Sequence, residues 1–522
     1  MITDIDSIKK FGEHLFDFCI IGAGAAGITL AMELKDKGFS IALLESGNNL
    51  LEWETQQLYE TETTGIPRQP QISTRLRFFG GTTNHWDGRC GPLSESDFSE
   101  RDWVPHSGWP ITRTELDPYY KRATQYIDIN SESFDYTSLK EKNIPLPTLG
   151  DDWNFHVWQY SAPTRFGLKY VQPLKEANNV HVYFNANVTN ILLNNQGTEV
   201  STVKVASLKG FSRELRAKKF ILSCGGIENA RILLNANSQM SEGLGNQNDL
   251  VGRYFMEHLR TKLVADVTGN PYALNQTYNE YTWQNRRYLL GLEATPKLLQ
   301  EKEILNSGCW MEYVPNTYSP TRSFTHIVGG NTSGSSFFLH AKEALMGAQD
   351  IYLNIRRKLI APGAPMIDKS SNTIVIETEQ APNPNSRITL TNTIDALGQA
   401  VANIHWEVTG LDLETSRKAS LAIAQKFTKD HGIRIKTPEW MNNVNDDAKP
   451  SFTDVAHHMG TTRMSRNPQQ GVVDAQCKVF GINNLYIAGS SVFPTSGHVN
   501  PTMTIVALAI RLSDHLTLNG IG

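Results

Sequence analysis

The chain has few cysteines, no long apolar run and no block of one charge. Its 522 residues include five cysteines, Cys19, Cys90, Cys224, Cys309 and Cys477, an odd and scattered set without C-x-x-C spacing. Such a set fits packing residues in a reducing compartment better than a disulfide framework, and no metal is expected. No stretch reaches the roughly 18 apolar residues of a membrane span, and positions 1–12 are polar, without an apolar signal region or twin arginine. The expectation is a cytoplasmic protein with no integral membrane segment, while export bound to a signal-bearing partner stays open. The 49 basic and 53 acidic residues leave a net charge of −4 with no long run of either sign, which argues against a nucleic-acid partner. No internal repeat is visible. What is present, 40% hydrophobic residues, is enough for a sizeable core, and the length allows about two to four domains.

One stretch organises the rest: Ile20-Ile21-Gly22-Ala23-Gly24-Ala25-Ala26-Gly27. Phe16 to Ile21 predicts a short buried strand, Gly22, Gly24 and Gly27 spell G-x-G-x-x-G, and Ile28 to Leu34 carries apolar residues at helical spacing. In such a unit the first glycine allows the turn and the second lets a pyrophosphate approach the backbone. The third lets helix and strand pack closely, so that the helix N-terminus faces the phosphates. A second strand, Ser40 to Leu44, ends in Glu45, 18 residues after Gly27. An acid there can accept hydrogen bonds from a ribose, which favours an adenosine diphosphate group with a free 2′-hydroxyl.

Further on, Phe78-Phe79-Gly80-Gly81-Thr82-Thr83-Asn84-His85-Trp86-Asp87-Gly88 predicts a loop whose backbone can lie against a flat ligand, because no Cβ intervenes at the glycines. His181 to Val188 reads as a strand, followed by a turn at 195–197 and a strand from Glu199 to Ser207. Lys218 to Ser223 repeats the strand, glycine and helix pattern with Gly225 and Gly226. Alternating apolar runs at Tyr288 to Leu292, Thr373 to Thr378 and Ala402 to Trp406 suggest a large sheet, and Leu411 to Phe427 an amphipathic helix. Asn316 to Ser336, rich in Ser, Thr and Gly, reads as a lid or a solvent loop. Tyr486 to Ala488 reads as a strand whose Gly489 exits toward the ligand, and Ile505 to Leu516 as a closing helix.

The loop Gly80 to Gly88, Cys90-Gly91-Pro92-Leu93 with Asp97-Phe98, Gly108-Trp109-Pro110-Ile111, Pro118-Tyr119-Tyr120, Leu250 to His258 and the segments His457 to Met464 and Asn500-Pro501-Thr502 resemble the glucose–methanol–choline (GMC) oxidoreductases. The nearest branch is that of pyranose-oxidase-like and bacterial sugar and polyol dehydrogenases. The resemblance implies FAD held by Gly22, Gly24, Gly27, Glu45, Gly80, Gly81, Asn84, His85, Val188, Gly489, Asn500, Pro501 and Thr502, with the Val188 backbone against the adenine. It implies that His85 contacts the flavin or is joined covalently to its 8α-methyl carbon. His258 is implied either as a flavin neighbour or as a buried structural histidine. The resemblance also places His457 and Asn500 as the catalytic pair. That assignment suits the chemistry, since a neutral imidazole can take the hydroxyl proton and an amide can hold the alcohol oxygen. His458 is the rival base.

The expected fold is α/β: a Rossmann-like FAD-binding domain from residues 1–100, 180–260 and 450–522, and a second α+β substrate-binding domain from 101–179 and 261–449 on a large antiparallel or mixed sheet. The expected reaction is oxidation of an alcohol, a sugar, polyol or related CH–OH donor, to a carbonyl by hydride transfer to flavin N5. Alternatives are a non-redox, lyase-type flavoprotein or the flavin-bearing subunit of an electron-transfer complex. The acceptor, whether oxygen, a quinone or a cytochrome, does not follow from the sequence, and an oligomer is compatible with it.

Overall fold

The computed structural model describes residues 1–8, 11–130, 134, 136, 146–266, 277–278, 280–283, 286–314, 320–329, 335–348, 351–352, 355, 371–442 and 452–518. The glycine-rich turn joins the strand Leu15–Ile21 to the helix Ala25–Leu34, and Ile41–Leu44 follows as the next strand. Two of its glycines are required for different reasons. Gly22 has φ of 101°, a backbone state open to glycine, and a Cβ on Gly27 would lie 1.9 Å from the Gly22 carbonyl oxygen.

Leu15–Ile21 lies between Ile41–Leu44 and Ser212–Leu222, parallel to both, with Ile20 opposite Leu43 and Ile221. Val180–Phe184 and Ile2–Asp4 extend the sheet on one side, and Leu485–Ile487 pairs with Ser212–Leu222 on the other. The parallel sheet is therefore drawn from both ends of the chain. Phe18, Cys19 and Ile20 are all fully buried, as a parallel strand covered on both faces requires. The helices Ala25–Leu34 and Thr502–Leu518 pack on each other, and Thr502–Leu518 takes in the predicted closing helix.

The strand predicted over 181–188 is two strands. Val180–Phe184 stays in the parallel sheet, whereas Asn187–Leu193 turns away to pair antiparallel with Val200–Ala206. The break falls at Asn185, whose φ of 58° is left-handed and whose amide Nδ2 donates to Asp4 at 2.9 Å. Asparagine tolerates that conformation, so a continuous apolar pattern hid a corner.

The second sheet is antiparallel. Its order runs Arg434–Lys436, Leu259–Asp266, Ser371–Thr378, Ser307–Val314, Arg286–Ala294, Trp153–Tyr160 and Arg89–Cys90, with Glu280–Trp283 beside Arg286–Ala294. Ile374, Ile376 and Leu292 meet Ile423 and Phe427 of the helix Gly410–His431 in one apolar cluster. A capping box between Thr409 and Asp412 starts that helix, and Gly432 at φ 65° ends it. Of the three runs assigned to this sheet, Ala400–Trp406 lies elsewhere. It pairs with Arg387–Ile394 and Glu62–Gly65 in a separate three-stranded sheet, because strand partners are chosen by tertiary contacts that alternation does not encode. Within 316–336, residues 320–328 form a helix packed on Ser335–Met346; 316–319 and 330–334 lie outside the described residues. The polar region from Lys121 to Asn178 contributes a sheet strand, Trp153–Tyr160, and the helix Phe166–Glu176.

Candidate active site

A cavity of about 700 Å³ runs from the glycine turn to the junction of the two large sheets. Gly22, Gly24, Glu45, Gly81, His85, Val188, His457, Gly489, Asn500, Pro501 and Thr502 all line it. Three predicted positions stand behind its wall. Gly27 packs on Gly22, the Cβ of any replacement at Gly80 would meet Gly167 N at 2.5 Å, and the Asn84 amide donates to the carbonyls of Phe79 and Gly81 at 2.9 and 3.0 Å. These three shape the loop and the turn.

At the nucleotide end, the helix Ala25–Leu34 begins at Gly24, which offers no side chain to cap it. Its first N–H groups have no intrahelical partner and are available to an anion. A Cβ on Gly24, Gly225 or Gly489 would meet no protein atom within 4 Å, so the wall is smooth where a ligand would lie against it. Glu45 is already engaged: its Oε2 accepts from Ala23 N at 3.0 Å and its Oε1 from Gly47 N at 2.9 Å. A carboxylate has about four acceptor sites, which leaves capacity for a ribose hydroxyl. At the loop, His85 Nδ1 lies 3.1 Å from the Thr82 carbonyl oxygen. A carbonyl only accepts, so Nδ1 carries the proton and Nε2 keeps its lone pair. Burial pushes the His85 pKa below its ordinary value.

The other end is built from residues far apart in sequence. Arg260 and Glu377 are Cα partners on neighbouring strands, and Glu377, fully buried, accepts from Arg260 Nε and Nη2 at 2.9 and 2.6 Å. Arg89, on the short edge strand, lies over the Trp310 ring at 4.0 Å and 3.8 Å from Glu377. Its Nε donates to Asn500 Oδ1 at 2.9 Å. A guanidinium only donates, which fixes the Asn500 amide so that Nδ2 faces His457 Nε2 at 3.2 Å. His457 Nε2 must then accept, and its proton sits on Nδ1, 2.9 Å from His258 Nδ1. His258 Nε2 in turn donates to the Ser496 carbonyl at 3.2 Å, and its Nδ1 also lies 3.0 Å from Glu377 Oε1. Arg89 thus fixes the tautomer of His457 alone, because His258 Nδ1 lies within hydrogen-bond distance of both His457 Nδ1 and a carboxylate oxygen that can only accept.

Burial, reinforced by His258 and only partly opposed by Glu377, holds the His457 pKa well below the usual imidazole value, so the ring is neutral at physiological pH. Its backbone N–H donates to Glu257 at 2.7 Å, and Glu257 is paired with Arg68 at 2.6 Å. His458 also borders the cavity, but its ring is stacked near Phe255 at 6.1 Å and its Nε2 lies 3.4 Å from Glu257. Sequence reasoning did not single out Arg89, Arg260, Glu377, Glu257 or Arg68. Of these only Glu377 lies in a run that reads as a strand, Thr373 to Thr378, where a charge among apolar residues was the available signal.

Two family models and several known proteins match the chain. Residues 17–241 match the FAD dependent oxidoreductase model and residues 382–509 the GMC oxidoreductase model. The chain is 22% identical to 2-methyl-1,2-propanediol dehydrogenase of Mycolicibacterium austroafricanum, covering 96% of this chain and 95% of that one. It is 23% identical to the fructose dehydrogenase large subunit of Gluconobacter japonicus, covering 95% and 97%. Among solved structures, formate oxidase of Aspergillus oryzae shares the fold with a TM-score of 0.59 and 17% identity, over 98% of this chain and 99% of that one. The chain thus carries an FAD dependent oxidoreductase domain and a GMC oxidoreductase C-terminal domain, and it is an FAD-dependent oxidoreductase. Among the described residues no helix is long and apolar enough to cross a membrane.

The glycine walls supply a test that separates binding from folding. Gly24→Val places its Cβ on the cavity side, where no protein atom lies within 4 Å, so the protein should fold while FAD affinity falls by on the order of tenfold or more, about 1.4 kcal/mol. Gly27→Ala, by contrast, drives a methyl into the Gly22 carbonyl and should destabilise the apoprotein. Flavin titration and thermal unfolding of the two apoproteins check the pair; equal FAD affinity in Gly24→Val and wild type contradicts the expectation.

Proposed function

We propose that the protein oxidises an alcohol, a sugar, polyol or related CH–OH donor, to a carbonyl, with His457 as the base and Asn500 as its partner. The pairing of His457 Nε2 with Asn500 Nδ2 at 3.2 Å on the cavity wall carries this reading. FAD, when bound, supplies the hydride acceptor. The protein's own task is to hold the alcohol oxygen and remove its proton. When the alcohol binds, its O–H replaces Asn500 Nδ2 at the single lone pair of His457 Nε2, which takes the hydroxyl proton, and Asn500 Nδ2 donates to the alcohol oxygen instead. The charge this creates has a place to go: the Nδ1 proton of His457 faces His258 Nδ1, and Glu377 lies 3.0 Å beyond, so the positive charge spreads toward a buried carboxylate. His258 and Glu377 are fully buried, and the low dielectric around them strengthens these contacts. The names of the full-length relatives, a diol dehydrogenase and a sugar dehydrogenase, support the same donor class.

Anaerobic flavin reduction across sugars, polyols, sterols and aliphatic alcohols tests the proposal; a holoprotein that none of them reduces contradicts it. The division into a discontinuous FAD domain and a substrate domain is proposed along with the reaction, the former on the parallel sheet and the latter on the antiparallel one.

His85 is proposed as a flavin contact whose free Nε2 lone pair is the electron pair that a bond to carbon needs. Acid precipitation decides the mode. Colour retained by the wild-type precipitate and lost from His85→Ala identifies a covalent link; colour washed from both identifies a contact. A His85→Ala protein with wild-type flavin affinity and potential removes His85 from the site.

A further inference from the structure

A second group of titratable side chains lies outside the cofactor cavity. His156, Glu293 and His498 each bring one possible ligand atom to within 4.8 Å of the others. They come from three elements. His156 is on Trp153–Tyr160, opposite Gly291, and Glu293 is two residues beyond Gly291 on the same strand, so the two side chains share a sheet face. His498 approaches from the loop that leads to Asn500. His156 Nδ1 is 2.9 Å from Glu293 Oε2, and the Ser94 hydroxyl donates to Glu293 Oε1.

The group is incompletely satisfied. His498 is 1% exposed, yet among the described residues neither of its ring nitrogens has a hydrogen-bond partner, and His156 Nε2, also buried, has none. Buried polar atoms of this kind are ordinarily engaged. A separate cavity of about 580 Å³, lined by Ser94, Asn154, His156 and Glu293, gives small solutes a route to the cluster. Arg113, on the same wall, is occupied by Asp117 at 2.8 Å and by the Leu93 carbonyl.

We propose that His156, Glu293 and His498 form a binding site for one first-row divalent transition ion of the Zn²⁺ type, with water from the adjoining cavity completing its coordination. Two imidazoles and a carboxylate are the donor set of such ions, whereas hard cations such as Ca²⁺ and Mg²⁺ prefer oxygen alone. Donor atoms around a tetrahedral ion with bonds of about 2.1 Å lie roughly 3.4 Å apart. Closing the cluster from its 4.8 Å limit therefore asks for a shift of about 1 Å or somewhat more, within reach of side-chain rotation. The Ser94 hydroxyl on Glu293 is the outer partner that orients a ligating carboxylate. The ion would tie the sheet to the 496–500 loop, whose Ser496 carbonyl holds His258 and whose Asn500 holds His457. Its role is to brace that loop.

His258, Glu377 and His457 also converge closely enough to hold an ion, but there Arg260 already occupies Glu377. The test must tell the two clusters apart. FAD-loaded protein is stripped with chelator, loaded with Zn²⁺, dialysed, and analysed for metal and for unfolding temperature. About one Zn²⁺ per chain is expected, with a raised unfolding temperature. His498→Gln and Glu293→Gln should lose the ion and the thermal response while retaining the flavin spectrum, whereas His457→Gln keeps both. If one of the first two variants does not fold, the other reads the same site. Retention below about 0.1 equivalent by wild type overturns the proposal. So does equal retention by all variants, or loss in His457→Gln with retention in His498→Gln.

Discussion

His457→Ala is expected to slow anaerobic flavin reduction by roughly 10²–10⁴-fold with FAD still bound, the usual loss when a general base is removed. The size follows from the arrangement behind the ring. His457 is held neutral by burial, its Nε2 is kept unprotonated by the Asn500 amide, and its Nδ1 proton is directed at His258. Alanine removes the acceptor and leaves His258 and Glu377 without access to the substrate. Asn500→Ala should cost less, because it removes orientation and one hydrogen bond but not the base. His458→Ala should leave the rate of reduction close to wild type, since that ring is turned toward Phe255. Stopped-flow reduction with a verified substrate measures all three. A wild-type rate in His457→Ala together with a slow His458→Ala would transfer the role to His458. The pH dependence has a definite sign. The active form is the unprotonated ring, and its pKa lies well below the ordinary value near ~6.5. The rate should stay flat from neutral into mildly acidic pH and fall only as pH drops through that lowered pKa. A limb centred at or above about pH 6.5 would contradict the assignment.

Glu377→Gln is expected to be the most destabilising conservative change at the site, by roughly 3–5 kcal/mol, the usual cost of leaving a buried charge without its partner. Glu377 is fully buried and its pKa lies well below the ordinary carboxylate value: burial works against ionisation, but Arg260, His258 and Arg89 outweigh it. The amide keeps the shape and removes the charge, so Arg260 and Arg89 lose the anion between them. Unfolding of the holoprotein in urea measures the loss. A double-mutant cycle with Arg260→Met isolates the pair: the double variant should be more stable than the sum of the singles predicts, since it strands Arg89 alone rather than Arg89 and Arg260 together. Additivity within about 0.5 kcal/mol would show that the cross-strand contact contributes nothing.

The nucleotide end was legible in the sequence because its determinants are local. A strand, a turn that needs φ above zero at Gly22, a helix that needs no Cβ at Gly27 and an acid at the end of the next strand all fall within 30 residues, from Phe16 to Glu45. Their meaning does not depend on what the rest of the chain does. The motif segments His457 to Met464 and Asn500 to Thr502 likewise named the pair that the fold brings together. Tertiary structure decided the rest. It bent the chain at Asn185, sent Ala400–Trp406 to a small sheet of its own, and engaged Glu45 with the backbone of Ala23 and Gly47. Above all it assembled Arg89, His258, Arg260 and Glu377 around His457. The register that sets Arg260 opposite Glu377 joins residues 117 positions apart, and alternation along either strand is silent about which strand lies beside it. The charge of a side chain is written in the sequence; whether that charge is buried, and against what, is a property of neighbours that only the folded chain supplies.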